Sequence, residues 1–232
     1  MPVTLRIREV LPATPRARVV RIDLNGQPFP YQPGQAVLIA SHGHERRKPY
    51  SIASAPEDAA RDGYFELLIG VDAEGAAGPH LILQPGEQVD VDGPIGRFTF
   101  PANPTERRFL FVAGGTGIAP LRAMLRHALN VPHREVGLLY SARTPLDFAF
   151  EEEFRTLARN GEIHLRQTVT REAVDTWDGT RGRICEADLA PLVHGRETLC
   201  FVCGPPALVA DIPRILDELG VEPRCVRIEE WA

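Results

Sequence analysis

The residues best suited to chemistry fall in two short segments, Lys48-Pro49-Tyr50-Ser51-Ile52-Ala53-Ser54 and Gly114-Gly115-Thr116-Gly117-Ile118-Ala119-Pro120. The second is a glycine-rich turn between an apolar strand and a helix. Gly114 and Gly115 let the chain bend out of the strand without a Cβ penalty, and Gly117 permits close approach of a ligand. The helix that follows offers unpaired N–H groups and a partial positive charge, both favourable for a pyrophosphate. Pro120 sits inside the first helical turn, where its missing N–H costs nothing. The spacing departs from G-x-G-x-x-G, so this is not the ordinary dinucleotide fingerprint. A ligand-free strand-to-helix turn is the alternative explanation of a lone glycine pair.

The first segment sets a cation, a planar ring and a hydroxyl on one extended strand. Lys48 lies two residues before Tyr50 and on its side, and Ser51 follows one residue on. That set suits a flavin; in isolation it also describes a barrel strand with an ordinary core tyrosine. Cys203-Gly204-Pro205-Pro206 likewise ends an apolar strand and opens a helix. Ligands of parallel sheets sit at the carboxyl ends of strands, so Cys203, Gly204 and Pro205 can face the same crevice as Gly115, Thr116 and Gly117. Ser141 and Arg143 follow the next strand, and Thr170-Arg171 the one after. They could supply a hydroxyl and a guanidinium fork for ribose or phosphate oxygens, although each arginine singly reads as a solvated surface charge. A site for one redox cofactor beside a site for another implies electron transfer.

Two kinds of element must hold these residues in place. The first hundred residues read as antiparallel β, with short strands at 3–8, 19–24, 36–40, 50–53, 64–71 and 88–91 separated by Asn-Gly, Pro-Gly, Asp-Gly and Gly-Pro turns. Even spacing of many short strands suggests a small barrel or sandwich, and a helical stretch at 79–84 could cap one end. A polar, proline-bearing stretch from Pro101 to Arg108 looks like a linker. From Phe109 onward apolar strands alternate with helices at 121–129, 151–159, 186–192 and 207–219, which indicates a parallel sheet covered on both faces. The expected fold is therefore two-domain: an antiparallel β-barrel over 1–101, then an α/β parallel-sheet domain over 106–232.

The 232 residues suffice for two small cores. A net charge of -5 argues against nucleic-acid binding. No apolar run is long enough to cross a bilayer and no signal-peptide core opens the chain, so no membrane association and a cytoplasmic location are expected. Cys185, Cys200, Cys203 and Cys225 fit neither an iron–sulfur nor a zinc spacing, so no metal of its own is expected. Lys48 is the sole lysine, which reads as compositional bias.

Lys48-Pro49-Tyr50-Ser51, Gly93-Pro94-Ile95-Gly96-Arg97-Phe98, Gly115-Thr116-Gly117-Ile118-Ala119-Pro120, Cys203-Gly204-Pro205-Pro206 and Glu229-Glu230-Trp231 occur in the order found in the ferredoxin–NADP⁺ reductase superfamily. The resemblance spans nearly the whole chain. It implies an FAD-binding barrel followed by an NAD(P)-binding domain, and hydride transfer from nicotinamide C4 to flavin N5. Carried over by position, it places Lys48 at the flavin pyrophosphate with Pro49 beside it, Tyr50 against the isoalloxazine and Ser51 near N5. Leu68, Ile69 and Gly70 would line the adenosine side, Ala76, Ala77 and Gly78 the pyrophosphate, and Thr116 would stand between the cofactors. Cys203 and Glu229 would frame the nicotinamide, and Trp231 would stack on the flavin and swing aside as a gate. Thr170-Arg171-Glu172 and Gly182-Arg183-Ile184 resemble segments that bind the 2′-phosphate of NADPH. That tilts the expectation toward NADPH, although NAD-using relatives carry arginines there too.

Three departures follow from the same resemblance. The family usually has arginine at Lys48, and a lysine cannot make the bidentate phosphate fork. It often has serine or threonine at Gly78, so one phosphate contact is lost. Weaker flavin retention is implied, with Arg46 or Arg47 to compensate. Ala232 follows the aromatic, unlike the family's terminal tyrosine. The expected function is an FAD-dependent NAD(P)H reductase passing electrons to a separate ferredoxin or other iron–sulfur partner. A flavin reductase using free FMN or FAD, and an electron-transfer subunit of a larger complex, are the alternatives. Oligomeric state is not legible.

Overall fold

Period-two alternation in the first hundred residues produces strands with one face turned to a common core. The computed structural model describes residues 2–171 and 177–230, so Glu172, Trp231 and Ala232 lie outside the described residues. The chain divides into two units, residues 1–100 with 122–127, and residues 101–121 with 128–232.

In the first unit, β1 (Val3–Thr14), β2 (Ala17–Asp23), β3 (Ala36–Ser41), β4 (Lys48–Ser51), β5 (Tyr64–Gly70) and β6 (Gln88–Ile95) form an antiparallel sheet in the order β4-β3-β6-β1-β2-β5. Its two ends meet. An Ile52↔Leu67 bridge and the Ala53 N–H donating to the Glu66 carbonyl at 2.7 Å close the sheet beyond β4. Inward-facing Ile7, Ile22, Ile39, Phe65, Leu67 and Val91 belong to one buried cluster, each contributing roughly 1.5–3 kcal/mol by leaving water.

The helix of this unit is not where the sequence reading put it. Residues 79–84 form a turn and irregular chain, because Leu81 is drawn into the core and the backbone is pinned to β3. The Ser41 N–H donates to the His80 carbonyl at 2.9 Å, and the Ile82 N–H to the Ser41 hydroxyl at 3.0 Å. A helix, α1, occupies Pro56–Asp62 instead, with proline at its start, Glu57 and Asp58 in its first turn and Gly63 as a left-handed cap at φ 74°. Those start and stop signals stand in the sequence at Pro56 and Gly63.

In the second unit, β7 (Arg108–Gly114), β8 (Glu135–Ala142), β9 (His164–Val169), β10 (Thr180–Arg181), β11 (Leu199–Gly204) and β12 (Val226–Glu230) pair in parallel in the order β10-β9-β8-β7-β11-β12. Among the described residues the α-helices of the second half are α2 (Ile118–Ala128), α3 (Glu151–Arg159), α4 (Glu186–Leu189) and α5 (Pro206–Glu218). Phe109 through Ala113 are all buried, as a strand covered on both faces requires. Strand order reverses between β7 and β11: the chain leaves β7 toward β8 and later returns to β7's other side. A crevice outside the carboxyl ends of two such strands is where open parallel sheets bind ligands.

Candidate cofactor sites

At that switch point β7 and β11 run in register, Ala113 opposite Cys203, and the turns beyond them are pressed together. A Cβ on Gly117 would lie 2.4 Å from the Cys203 carbonyl oxygen, and one on Gly204 would lie 3.1 Å from the Gly114 Cα. Gly117 is therefore required by the backbone of β11, where the sequence reading assigned its bareness to a ligand. Gly115 is the residue open to one. It is exposed, its φ is +55°, and nothing lies within 4 Å of where its Cβ would be. A 3-10 turn over Gly115–Gly117 leads directly into α2, with Thr116 exposed.

Tyr140 fixes this turn, and no sequence pattern pointed to it. It is wholly buried on β8; its hydroxyl donates to the Gly115 carbonyl at 3.1 Å and accepts the Ala149 N–H at 3.2 Å. Phe148 packs edge-on at 5.0 Å between ring centroids. Burial pushes the phenol's ionisation well above its ordinary value, so it stays a donor.

The remaining candidates of this unit gather on neighbouring strand ends. Ser141 is buried and accepts the Thr168 hydroxyl at 3.2 Å. The Thr170 N–H donates to Ala142 and the Arg171 N–H to the Arg143 carbonyl, each at 2.9 Å, while the Gly182 N–H reaches the Val169 carbonyl at 2.8 Å. Arg143, Arg171 and Arg183 are thus exposed on adjoining turns after β8, β9 and β10. Cys203 is fully buried, Gly204 is buried and Pro205 is exposed; Glu229, half-buried on β12, pairs in register with Cys203. Trp231 lies outside the described residues. None of the four cysteines is joined in a disulfide, and no metal-type cluster of histidine, cysteine or acid occurs among the described residues.

In the first unit β4 presents Lys48 and Pro49 exposed, Tyr50 half-buried and Ser51 buried. The Ser51 hydroxyl oxygen is shielded from water and has no hydrogen-bond partner, a state that costs about 1–3 kcal/mol unless something else satisfies it. The Tyr50 hydroxyl meets His80 Nε2 at 3.0 Å, their rings nearly parallel at 6.0 Å between centroids. Leu68 and Ile69 are buried and Ile69 belongs to the core, so on β5 they offer main chain; Gly70 is exposed. Asp72 ties down the loop bearing Ala76, Ala77 and Gly78, its carboxylate accepting the Glu74 and Ala76 N–H groups at 3.1 and 2.8 Å. Gly78 has φ +103°.

Charges fix the ends of β4. Asp90 accepts from Thr4 at 2.8 Å, His42 Nδ1 at 2.9 Å and the Gly43 N–H at 3.2 Å. The His42 hydrogen bond, outweighing burial, holds its carboxyl down at about 2. Arg47 reaches the same carboxylate at 3.7 Å, leaving Arg46 exposed on that loop. Beyond β4, Glu66 receives Arg21 at 3.0 Å and Arg122 at 2.7 Å, and Arg122 also donates to the Ala53 carbonyl at 2.8 Å. Burial opposes the Glu66 charge, but the two guanidiniums prevail and its pKa lies below the ordinary value. Arg126 joins Asp58 alongside. An orphan hydroxyl next to a half-exposed ring, with a cation and a loop of bare main chain in the same unit, fits a flavin nucleotide.

Residues 3–100 match the model of the oxidoreductase FAD-binding domain, and residues 111–214 that of the oxidoreductase NAD-binding domain. Ferredoxin–NADP reductase B of Sorangium cellulosum is 32% identical over 245 residues, 99% of this chain and 98% of its own. Sulfhydrogenase 1 subunit gamma of Pyrococcus furiosus is 32% identical over 203 residues, 83% of this chain and 65% of its own. The ferredoxin reductase in carbazole 1,9a-dioxygenase has a TM-score of 0.83 at 25% identity, covering 100% of this chain and 70% of that one. No helix among the described residues is long and apolar enough to cross a membrane. With both domain types in sequence and a relative matched end to end, the chain belongs to the ferredoxin–NADP⁺ reductase superfamily and is an NAD(P)H-dependent flavoprotein oxidoreductase.

Proposed function

We propose that this protein takes a hydride from NADPH and delivers electrons singly to a separate ferredoxin or other iron–sulfur protein. The observation that carries the reading is the likeness to ferredoxin–NADP reductase B over 98% of that protein's length. When bound, FAD supplies the change of step size, accepting a hydride's electron pair and releasing electrons one at a time.

In the first unit Ser51 donates its orphan hydroxyl toward flavin N5 and orients the ring, and Tyr50 gives it a flat face. Lys48, with Pro49 holding the strand extended, and the main chain of Ala76, Ala77 and Gly78 take the pyrophosphate. Leu68, Ile69 and Gly70 offer backbone to the adenosine. In the second unit the dinucleotide would lie over the exposed Gly115, Thr116 and Pro205 at the switch point, with Gly117 and Gly204 letting the two turns close on one another beneath it and Ser141 at a ribose. Cys203 and Glu229 flank the nicotinamide. The exposed guanidiniums of Arg143, Arg171 and Arg183, with Thr170, gather on three adjoining turns, a cluster suited to a 2′-phosphate.

A second reading, reduction of free flavin as substrate, is favoured by Lys48, which meets phosphate as a point charge, and by Gly78, which has no hydroxyl. Flavin content and acceptor choice separate the two. The proposal expects about one FAD per purified chain and ferredoxin reduction that is faster with NADPH than with NADH. A colourless protein that oxidises NADPH only when FMN or FAD is added would overturn it in favour of the second reading. Activity that appears only in complex with another subunit would also overturn it, and the likeness to a sulfhydrogenase subunit makes that worth measuring.

A further inference from the structure

His80 has a second nitrogen with no stated use. The side chain is 2% exposed, and its Nδ1 is shielded from water without a hydrogen-bond partner. Leaving such a group unpaired is costly, so a missing partner is expected there. A Cβ built on Gly78 would lie 3.5 Å from His80 Nδ1 and 3.8 Å from its Cε1, with no other atom outside its chain neighbours within 4 Å. The bare Cα of Gly78 therefore leaves a gap whose one side-chain wall is the imidazole edge.

The surroundings set the charge of what fits. Lys48, His44 and Arg46 all act on His80 to disfavour its protonation, adding to burial as the leading cause. The ring is held neutral in a positive neighbourhood, which calls for an anion. Burial also keeps the Tyr50 phenol protonated, so its hydroxyl can donate to Nε2, the arrangement in which the ring's one proton sits on Nδ1.

We infer that His80 is a binding residue for the flavin nucleotide: while Nε2 accepts the Tyr50 hydroxyl, Nδ1–H donates to an anionic phosphate oxygen lying against Gly78. One imidazole thereby fixes the ring-facing tyrosine and replaces the hydroxyl that Gly78 lacks. The inference rests on the reading of the first unit as the FAD site.

The test compares FAD with riboflavin, which has the ring system and no phosphate, by quenching of flavin fluorescence on the full chain. His80→Phe keeps a flat ring beside Tyr50 and removes both nitrogens. It is expected to weaken FAD binding roughly tenfold more than riboflavin binding, the worth of one charge-assisted hydrogen bond, since any loss through Tyr50 falls on both flavins equally. Equal FAD affinity in variant and wild type, or an equal loss for both flavins, would overturn the inference. Should the variant lose its thermal transition, wild-type protein with ¹⁵N-labelled histidine gives the answer. FAD, but not riboflavin, should shift the His80 Nδ1 resonance, and its failure to do so refutes the assignment. Wild-type protein that binds neither flavin would refute the FAD reading itself, an outcome distinct from failure of His80 alone.

Discussion

The second unit shapes its site with main chain, whereas the first does so with side chains that meet from distant parts of the sequence. At the ends of β7 and β11, Gly117 and Gly204 are small because backbone atoms occupy the space a Cβ would need, Gly114 because the Pro205 and Leu208 side chains do, and Tyr140 then anchors Gly115 by its carbonyl. On β4, by contrast, Ser51 and the Tyr50–His80 pair are polar groups whose hydrogen bonding is incomplete, Ser51 Oγ and His80 Nδ1 having no partner. The difference separates two sources of preorganisation. One unit spends its constraint on geometry and is expected to tolerate no added atom. The other stores unsatisfied polarity and is expected to gain stability when that polarity is removed, at the cost of function.

The harshest way to break the comparison is Gly117→Ala. Its methyl would meet the Cys203 carbonyl at 2.4 Å, and main chain on both sides cannot yield cheaply. A loss of about 3 kcal/mol or more in denaturant unfolding is expected, with nucleotide binding lost in step. Next comes Arg122→Gln, which takes the buried guanidinium from Glu66 and leaves it the partly exposed Arg21. Truncating one partner of a buried ion pair costs about 3 kcal/mol, read as a fall in melting temperature. The sign of the accompanying pH effect is fixed. Since the folded pKa of Glu66 lies below its ordinary value, its contribution is complete above the unfolded pKa and fades as pH drops through the folded one. The variant should show less of that acid-side loss than wild type.

Tyr140→Phe sharpens the claim about the turn. It preserves the aromatic packing and deletes the hydroxyl that bridges Gly115 and Ala149, so stability should fall by about 1–2 kcal/mol. KM for the nicotinamide nucleotide should rise several-fold while flavin content stays put. The smallest shift in stability belongs to Ser51→Ala. Removing the orphan oxygen is expected to leave stability unchanged or raise it by up to about 1 kcal/mol, yet slow flavin reduction by at least about tenfold. A Ser51→Ala protein less stable than wild type would show that the hydroxyl has a structural partner and would erase the contrast between the units.

Legibility from sequence followed the same divide. Glycine at a strand end advertises a backbone demand, so the turns at Gly114–Gly117 and Gly204 could be located before any coordinates, along with the parallel sheet that carries them. What the residue type did not disclose was the cause: Gly117 is bare for β11, and only Gly115 faces open space. The barrel was legible through its alternating strands and turns. Its helix was misplaced to residues 79–84 because apolar content there outweighed the proline-start and glycine-stop signals around Pro56–Asp62. His80 and Tyr140 were missed for a common reason. Each works through a contact with a residue twenty-five or more positions away, and no local pattern encodes such a meeting.

The central claim is that this chain moves a hydride from a nicotinamide nucleotide to its flavin. Anaerobic addition of NADPH to the FAD-loaded protein tests it directly. The account predicts bleaching of the flavin's visible absorption with about one nucleotide oxidised per flavin. Flavin absorption unaltered by an excess of either NADPH or NADH would contradict it.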